Sequence, residues 1–263
     1  MAILVCSSTP LTAQLRPLEP FDQRIFDDGN TFIADAGFGL YSDQRASLAG
    51  TIGSLTEIGQ FHTAWRSGRI AVELAGTVYR TFEDESVFAS PTGGAREPTG
   101  ERRGDVGDFR VGAVVLLTPP ERPYRAALRF GTRLPTTDNE IGLERDRTDF
   151  FALLAGGLRK RGFRATAEAG LGINGTHNLK FEQMDVLVYN AAVEYRQWPV
   201  TPIAMIIGRM DGVDWDFRGN ENLGEIRLGA RVGDRLWFQA FYVRGFTDFS
   251  PSGGLMISAG LTR

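Results

Sequence analysis

One cysteine, two histidines and no surplus of positive charge are what this sequence offers, and each shortage removes a class of function. Cys6 alone cannot close an internal disulfide. With only His62 and His177 beside it, there is no Cys/His cluster to hold zinc, so no metal site and no cofactor are expected. Lys and Arg total 29 against 32 Asp and Glu, a net charge of −3, which lacks the basic footprint that phosphate backbones require. No nucleic-acid partner is expected. The longest apolar runs, such as 150–158, fall far below the roughly 18–20 residues of a membrane-spanning helix. Helical periodicity is scarce as well.

What the chain does have is alternation. With 263 residues, 42% of them hydrophobic, it is long enough to bury a large core, and from Thr31 onward its apolar residues recur with period two. Between Arg69 and Val78, one face carries Ile70, Val72, Leu74 and Val78, and the other Ala71, Glu73, Ala75 and Thr77. Tyr124, Ala126, Leu128, Phe130 and Leu134 alternate with Arg125, Ala127, Arg129, Gly131 and Arg133. This predicts an all-β chain with about twelve strands, near 31–41, 54–65, 69–82, 107–117, 124–134, 149–159, 163–173, 185–196, 202–210, 225–232, 236–246 and 254–262. Each is close to the ~9–11 residues that cross a bilayer at a tilt.

The connections alternate in length. Short turns fall at 67–68, 118–123, 160–162, 197–201 and 233–235, and long polar stretches at 83–106, 135–148, 174–184, 211–224 and 247–253. Placing every short turn on one end and every long loop on the other is the pattern of a single transmembrane antiparallel β-barrel, with short periplasmic turns and long extracellular loops. An even strand number puts both termini at the short-turn end and closes the first strand on the last, so no edge is left unpaired. Trp65, Tyr124, Phe163, Tyr195, Trp198 and Trp237 adjoin the short turns, and Tyr79, Phe82 and Phe246 the long loops, as interfacial girdles would.

Magnitudes decide which face meets lipid. An Arg on the lipid face near mid-bilayer costs roughly 2–4 kcal/mol, so a strand bearing Arg125, Arg129 and Arg133 must turn them inward. The same parity places Glu73, Arg110, Arg164, Glu168, Glu194, Arg227 and Arg231 in the lumen. Two readings of that lumen follow. The arginines line a pore that lowers the barrier for anions such as aromatic carboxylates, or they pair with Glu73, Glu168 and Glu194 and pack the barrel shut.

Ahead of the strands, Ala2-Ile-Leu-Val-Cys6 and the small residues up to Ala13 read as the remnant of a secretory signal without its basic start. Bulky Val5 argues against lipidation of Cys6. Residues 1–13 are thus expected to be a signal remnant, 14–30 an N-terminal periplasmic segment, and 31–263 the barrel.

Gly104-Asp-Val-Gly-Asp-Phe-Arg-Val-Gly-Ala113, Ala126-Ala-Leu-Arg-Phe-Gly-Thr-Arg-Leu-Pro-Thr-Thr-Asp138, Gly142-Leu143, Thr148-Asp-Phe150 and Gly156-Gly157 carry a likeness over residues 50–200. In these the chain resembles the MetA-pathway of phenol degradation family of outer-membrane proteins. The resemblance implies a transmembrane barrel that moves small, often hydrophobic or aromatic compounds, and it implies no catalytic residues. One departure is the C-terminus, Ala259-Gly-Leu-Thr-Arg263, which lacks the terminal aromatic usual in such barrels.

Other motifs carry less. Gly170-Leu-Gly-Ile-Asn-Gly175 matches a dinucleotide fingerprint, but no helix follows to present its N-terminus, and it reads as a strand-to-loop exit. Asn174-Gly175 reads as a turn pair rather than a glycosylation site. Asp211 to Asn220 lacks calcium-loop spacing and reads as a solvated acidic loop. His62 has no serine close by on its own face and His177 lies in a polar loop, so both read as solvated polar residues and no enzyme is expected. The expected function is a passive outer-membrane channel for uptake of small hydrophobic, aromatic or anionic molecules in a Gram-negative cell. Its partners would be membrane lipid and a small-molecule solute. The alternative is a non-transporting surface or structural protein acting through acidic loops, chiefly 83–106 and 211–224.

Overall fold

The structure, a computed structural model, describes residues 14–26, 31–88, 102–119, 122–144, 146–178, 181–196, 199–211 and 221–263. Thirteen strands are present among them: β1 Thr31–Ala46, β2 Thr51–Ser67, β3 Ile70–Val87, β4 Arg102–Asp105, β5 Phe109–Leu116, β6 Tyr124–Leu134, β7 Asp149–Lys160, β8 Phe163–Asn178, β9 Phe181–Tyr195, β10 Val200–Asp211, β11 Leu223–Gly233, β12 Leu236–Gly245 and β13 Gly253–Thr262. Two short 3₁₀ turns, η1 Gln23–Phe26 and η2 Asn139–Ile141, are the only helical turns among the described residues.

Apart from β4 and β5, which both pair with β3, each strand pairs antiparallel with its sequence neighbours, and β1 pairs with β13, which closes the sheet into a cylinder. Short β4 and longer β5 pair in succession with β3, at Arg80–Glu83 and Ile70–Gly76, so together they occupy one position and the circumference holds twelve. Closure of β1 on β13 removes the open sheet edge that a spanning sheet cannot leave to lipid.

Turn chemistry fixes the register at the short-turn end. Arg161 and Gly162 both have positive φ (49° and 82°), the type I′ geometry that matches strand twist and joins β7 to β8 in two residues. Gly68 (φ 60°) supplies the positive φ where β2 turns into β3. Both chain ends of the cylinder lie here: the Phe32 amide donates to the Arg263 carbonyl at 2.7 Å, and the reverse bond is 2.8 Å. At the other end the expected contrast in loop length is uneven. β1 and β2 are joined by residues 47–50 alone, and β8 and β9 run as a paired ribbon to Asn178 and Phe181, so 174–184 is mostly strand. The strand-to-loop exit and turn expected at 170–175 are therefore strand interior. Most of the 83–106 connection, residues 212–220 of the acidic loop, Trp198 and residues 1–13 lie outside the described residues.

The two faces separate as the alternation requires. Leu154 (62% exposed), Phe238 (69%) and Leu228 (55%) point outward, while the interleaved Arg129, Glu168 and Arg227 are each 4% exposed or less. One glycine adjusts this parity. At Gly59 (φ 66°) the pairing of β1 with β2 slips by one residue, so Leu55 and Glu57 face inward before it, and Ala64 and Arg66 after it. Trp65, Tyr124, Phe163, Tyr195, Tyr79 and Phe246 stand on the outer face as expected of girdle residues. Trp237 and Phe82 do not: both are buried inside, Trp237 because β12 turns its odd positions to the lumen, and Phe82 because β3 turns odd positions inward up to Thr77 and even ones from Arg80 on.

Candidate functional site

The interior contains a second layer that is not strand. Residues 14–26 run inside the cylinder from the loop end to the turn end. They are a lumen segment, rather than the periplasmic segment expected for 14–30. Leu15 packs with Tyr41, Leu55, Phe82, Leu143 and Val243 near the long loops. Leu18 packs with Leu153, Val186 and Val188 further down. Phe21 and Ile25 pack with Ala64, Ala71, Val114, Leu116, Ala127 and Ala155 near the short turns.

The local sequence explains why this stretch can thread a barrel. In Gln14-Leu-Arg-Pro-Leu-Glu-Pro-Phe-Asp22 the apolar residues fall at 15, 18 and 21 and the charged ones at 16, 19 and 22, a period of three. That is the repeat of an extended polyproline-type chain. Pro17 and Pro20 occupy the third row and remove two amide donors that would otherwise need partners inside.

The charged row is tied to the wall. Arg16 donates two hydrogen bonds to the Glu225 carboxylate, one of them at 2.8 Å, and its guanidinium lies 3.8 Å from the centre of the Tyr41 ring. Glu19 accepts from Arg227 at 2.6 and 2.7 Å, and its carbonyl accepts from Arg129 at 3.0 Å. Arg24, paired with Asp22, donates to Thr262 at 2.8 Å and lies 4.2 Å over Trp237. At the top, the Leu15 amide donates to Glu144 at 3.1 Å, and Arg209 donates to the Gln14 side chain at 2.8 Å.

The wall's own charges form chains. Arg80 bridges Glu57 (2.6 Å) and Glu144 (2.8 Å), and Arg133 bridges Glu144 (2.7 Å), Asp108 (3.0 Å) and Asp149 (2.7 Å). Arg129 holds Glu73 at 2.8 Å and Glu168 at 2.9 Å, and Asn190 donates to Glu168 at 2.6 Å. Glu194 serves both Arg164 (3.0 Å) and Arg231 (2.8 Å). His62, expected to be solvated, faces inward between Asp35 (3.7 Å) and Glu73 (3.9 Å). Glu144 lies in the connection between η2 and β7, folded down onto this network. Burial, reinforced by the Asp108 charge, pushes its carboxyl up to about 7.

Every residue singled out from the sequence for the lumen is therefore inside: Glu73, Arg125, Arg129, Arg133, Arg164, Glu168, Glu194 and Arg227 buried, Arg110 and Arg231 partly so. They do not form an open basic stripe. Charge pairing neutralises Arg129, Arg133, Arg164, Arg227 and Arg231, and Arg125 also has a partner. Sequence reasoning missed Arg16, Glu19, Glu57, Arg80, Asp108, Glu144 and Glu225. The first two had a readable signal in their period of three. Among the described residues no group of His, Cys, Asp and Glu is arranged to hold a metal ion.

An outward greasy belt, an enclosed ionic lumen and a closed twelve-position cylinder together decide the class of this fold. It is an outer-membrane β-barrel. The chain is similar to an outer membrane channel from Pseudomonas putida F1, with a TM-score of 0.61 at 11% identity over 94% of this chain and 100% of that one. Weaker likenesses are to OmpT, an outer membrane protein of Vibrio cholerae (TM-score 0.44, 13% identity, 90% and 100% covered), and to a porin (0.39, 10%, 89% and 99%). No family model and no curated protein sequence matches the chain. The barrel belongs in the outer membrane of a Gram-negative cell, its belt against lipid.

Proposed function

We propose that this barrel is a passive uptake channel for small hydrophobic, aromatic or anionic molecules, of the kind its resemblance to the MetA-pathway of phenol degradation family implies, and that residues 14–26 are its plug. One observation carries the reading: the lumen is filled by a separate peptide rather than by the wall's side chains alone. Eight strands give an interior that side chains fill, and twelve give more room than that. A barrel serving only as a solid anchor has no need of a threaded segment whose charged row is tied to the wall by ion pairs at Arg16 and Glu19. When the segment shifts, Arg110, Arg125, Arg129, Arg133, Arg164, Arg227 and Arg231, with Glu73, Glu168 and Glu194, become the walls a solute meets.

Arg16→Gln with Glu19→Gln removes the side-chain charges that tie the segment to Glu225 and Arg227. Breaking buried pairs costs up to ~3–5 kcal/mol, and Glu225 and Arg227 retain each other at 3.1 Å, so the plugged state loses part of that. Proteoliposomes bearing the double variant are expected to take up small aromatic acids at least about tenfold faster than the unaltered protein. Equal and negligible uptake by both would overturn the channel reading.

A further inference from the structure

Arg110 is the exception to the pairing that governs this lumen. It stands on β5 and makes no hydrogen bond or ion pair with any described residue, and its Nη2 is buried without a partner. Two acids whose charge acts on it are engaged by other arginines: Asp108, through Oδ2, by Arg133 at 3.0 Å and Arg80 at 3.5 Å, and Glu144 by the same two. A desolvated guanidinium without an anion is costly, and an incoming anion relieves that cost.

Arg110 also lines a cavity of about 170 Å³ beside the N-terminal segment. Each other arginine and carboxylate on its lining has an ion-pair partner, Arg16 with Glu225, Glu19 with Arg227, Asp22 with Arg24, Asp35 with His62, Glu57 with Arg80, Asp108 with Arg133 and Glu194 with Arg231, so Arg110 is the lining arginine without one. Its inward apolar wall is Phe21, Ile203, Met205, Phe241 and Met256. An apolar cavity of ~150 Å³ accepts a benzene-sized molecule. The two thioethers are unbranched and adapt to ligand shape.

We propose that Arg110 and this wall form a binding site for a small monocarboxylate with a compact apolar body of about one six-membered ring. The carboxylate takes the guanidinium's fork, and the body rests on the phenyl and thioether surface. This deepens the channel reading and rests on it for its purpose, since the site lies on the route that reading opens.

The test is isothermal titration of the purified full-length protein in detergent with cyclohexanecarboxylate, its uncharged isostere cyclohexylmethanol, and acetate. The acid is expected to bind at least about tenfold more tightly than either control, and Arg110→Gln to weaken it at least about tenfold. Retained affinity in Arg110→Gln, equal binding of the alcohol or of acetate, or no saturable binding of the acid would overturn the site. If Arg110→Gln does not fold, as judged by heat-modified gel mobility, the three-ligand series on the unaltered protein decides alone. The uptake assay on the Arg16→Gln/Glu19→Gln variant is independent of this titration: uptake without acid binding sinks the site only, and acid binding without uptake sinks the channel reading only.

Discussion

At the scale of single residues the lumen is a set of shared carboxylates, and sharing makes some positions more costly to alter than their number of bonds suggests. Glu194 is the partner of two guanidiniums, Arg164 and Arg231, so Glu194→Ala leaves two buried cations with one anion fewer. Breaking a buried pair typically costs ~3–5 kcal/mol, and a loss of that size in urea unfolding is expected, whereas Arg196→Ala, at an exposed pair with Asp234, should cost less than ~1 kcal/mol. Glu144 supplies a pH dependence. Its carboxyl titrates near 7 when docked, against an ordinary 4.5, so docking is coupled to proton uptake. The stabilisation is complete below about 4.5 and is lost as pH rises through about 7. Since Glu144 accepts the Leu15 amide, the plug should loosen in the same window. Open time in planar bilayers is expected to increase between pH 5 and 8.5 (about the window of that titration), and Glu144→Gln to flatten the increase. A wild-type profile independent of pH would remove Glu144 from the account.

At the scale of elements, alternation sorts each strand into a lipid row and a lumen row. Leu154, mid-strand on β7 and 62% exposed, should tolerate Phe and resist Arg at ~2–4 kcal/mol, measured as reduced folding yield into vesicles. Its neighbour Leu153 is fully buried against Leu18, so the same change there acts by displacing the plug. Strand positions were legible because Arg125, Arg129 and Arg133 admit only one orientation. Trp237 and Phe82 were misread as girdle residues because an aromatic near a strand end fits either interface or interior; parity separates the two for Trp237, but β3 changes faces between Thr77 and Arg80, which hides Phe82. Gly59 defeated parity itself, since a one-residue slip cannot be seen from a single strand's sequence. The lumen segment escaped notice for a different reason. Leu15, Leu18 and Phe21 repeat every third residue, a spacing that matches neither strand nor helix, and it gains meaning only once a surrounding cylinder exists.

At the scale of the whole molecule, the fold answers the choice between a basic pore and a packed barrel with an arrangement in between. The arginines do pair with Glu73, Glu168 and Glu194, as the packed reading required, yet the space left at the centre is filled by residues 14–26. The charge pattern of the wall was legible in the sequence, but which acid meets which arginine was not, because partners such as Glu57 and Arg80 lie on different strands and Glu144 descends from a loop. The central claim is that the wall encloses a conduit and the segment closes it. Single-channel recording on a variant lacking residues 14–26, beside the full chain, tests this most directly. The truncated barrel should conduct steadily while the full chain stays shut or opens in brief events. A truncated barrel that folds and remains as silent as the full chain would show that the wall's side chains alone seal the lumen, and the account would be wrong.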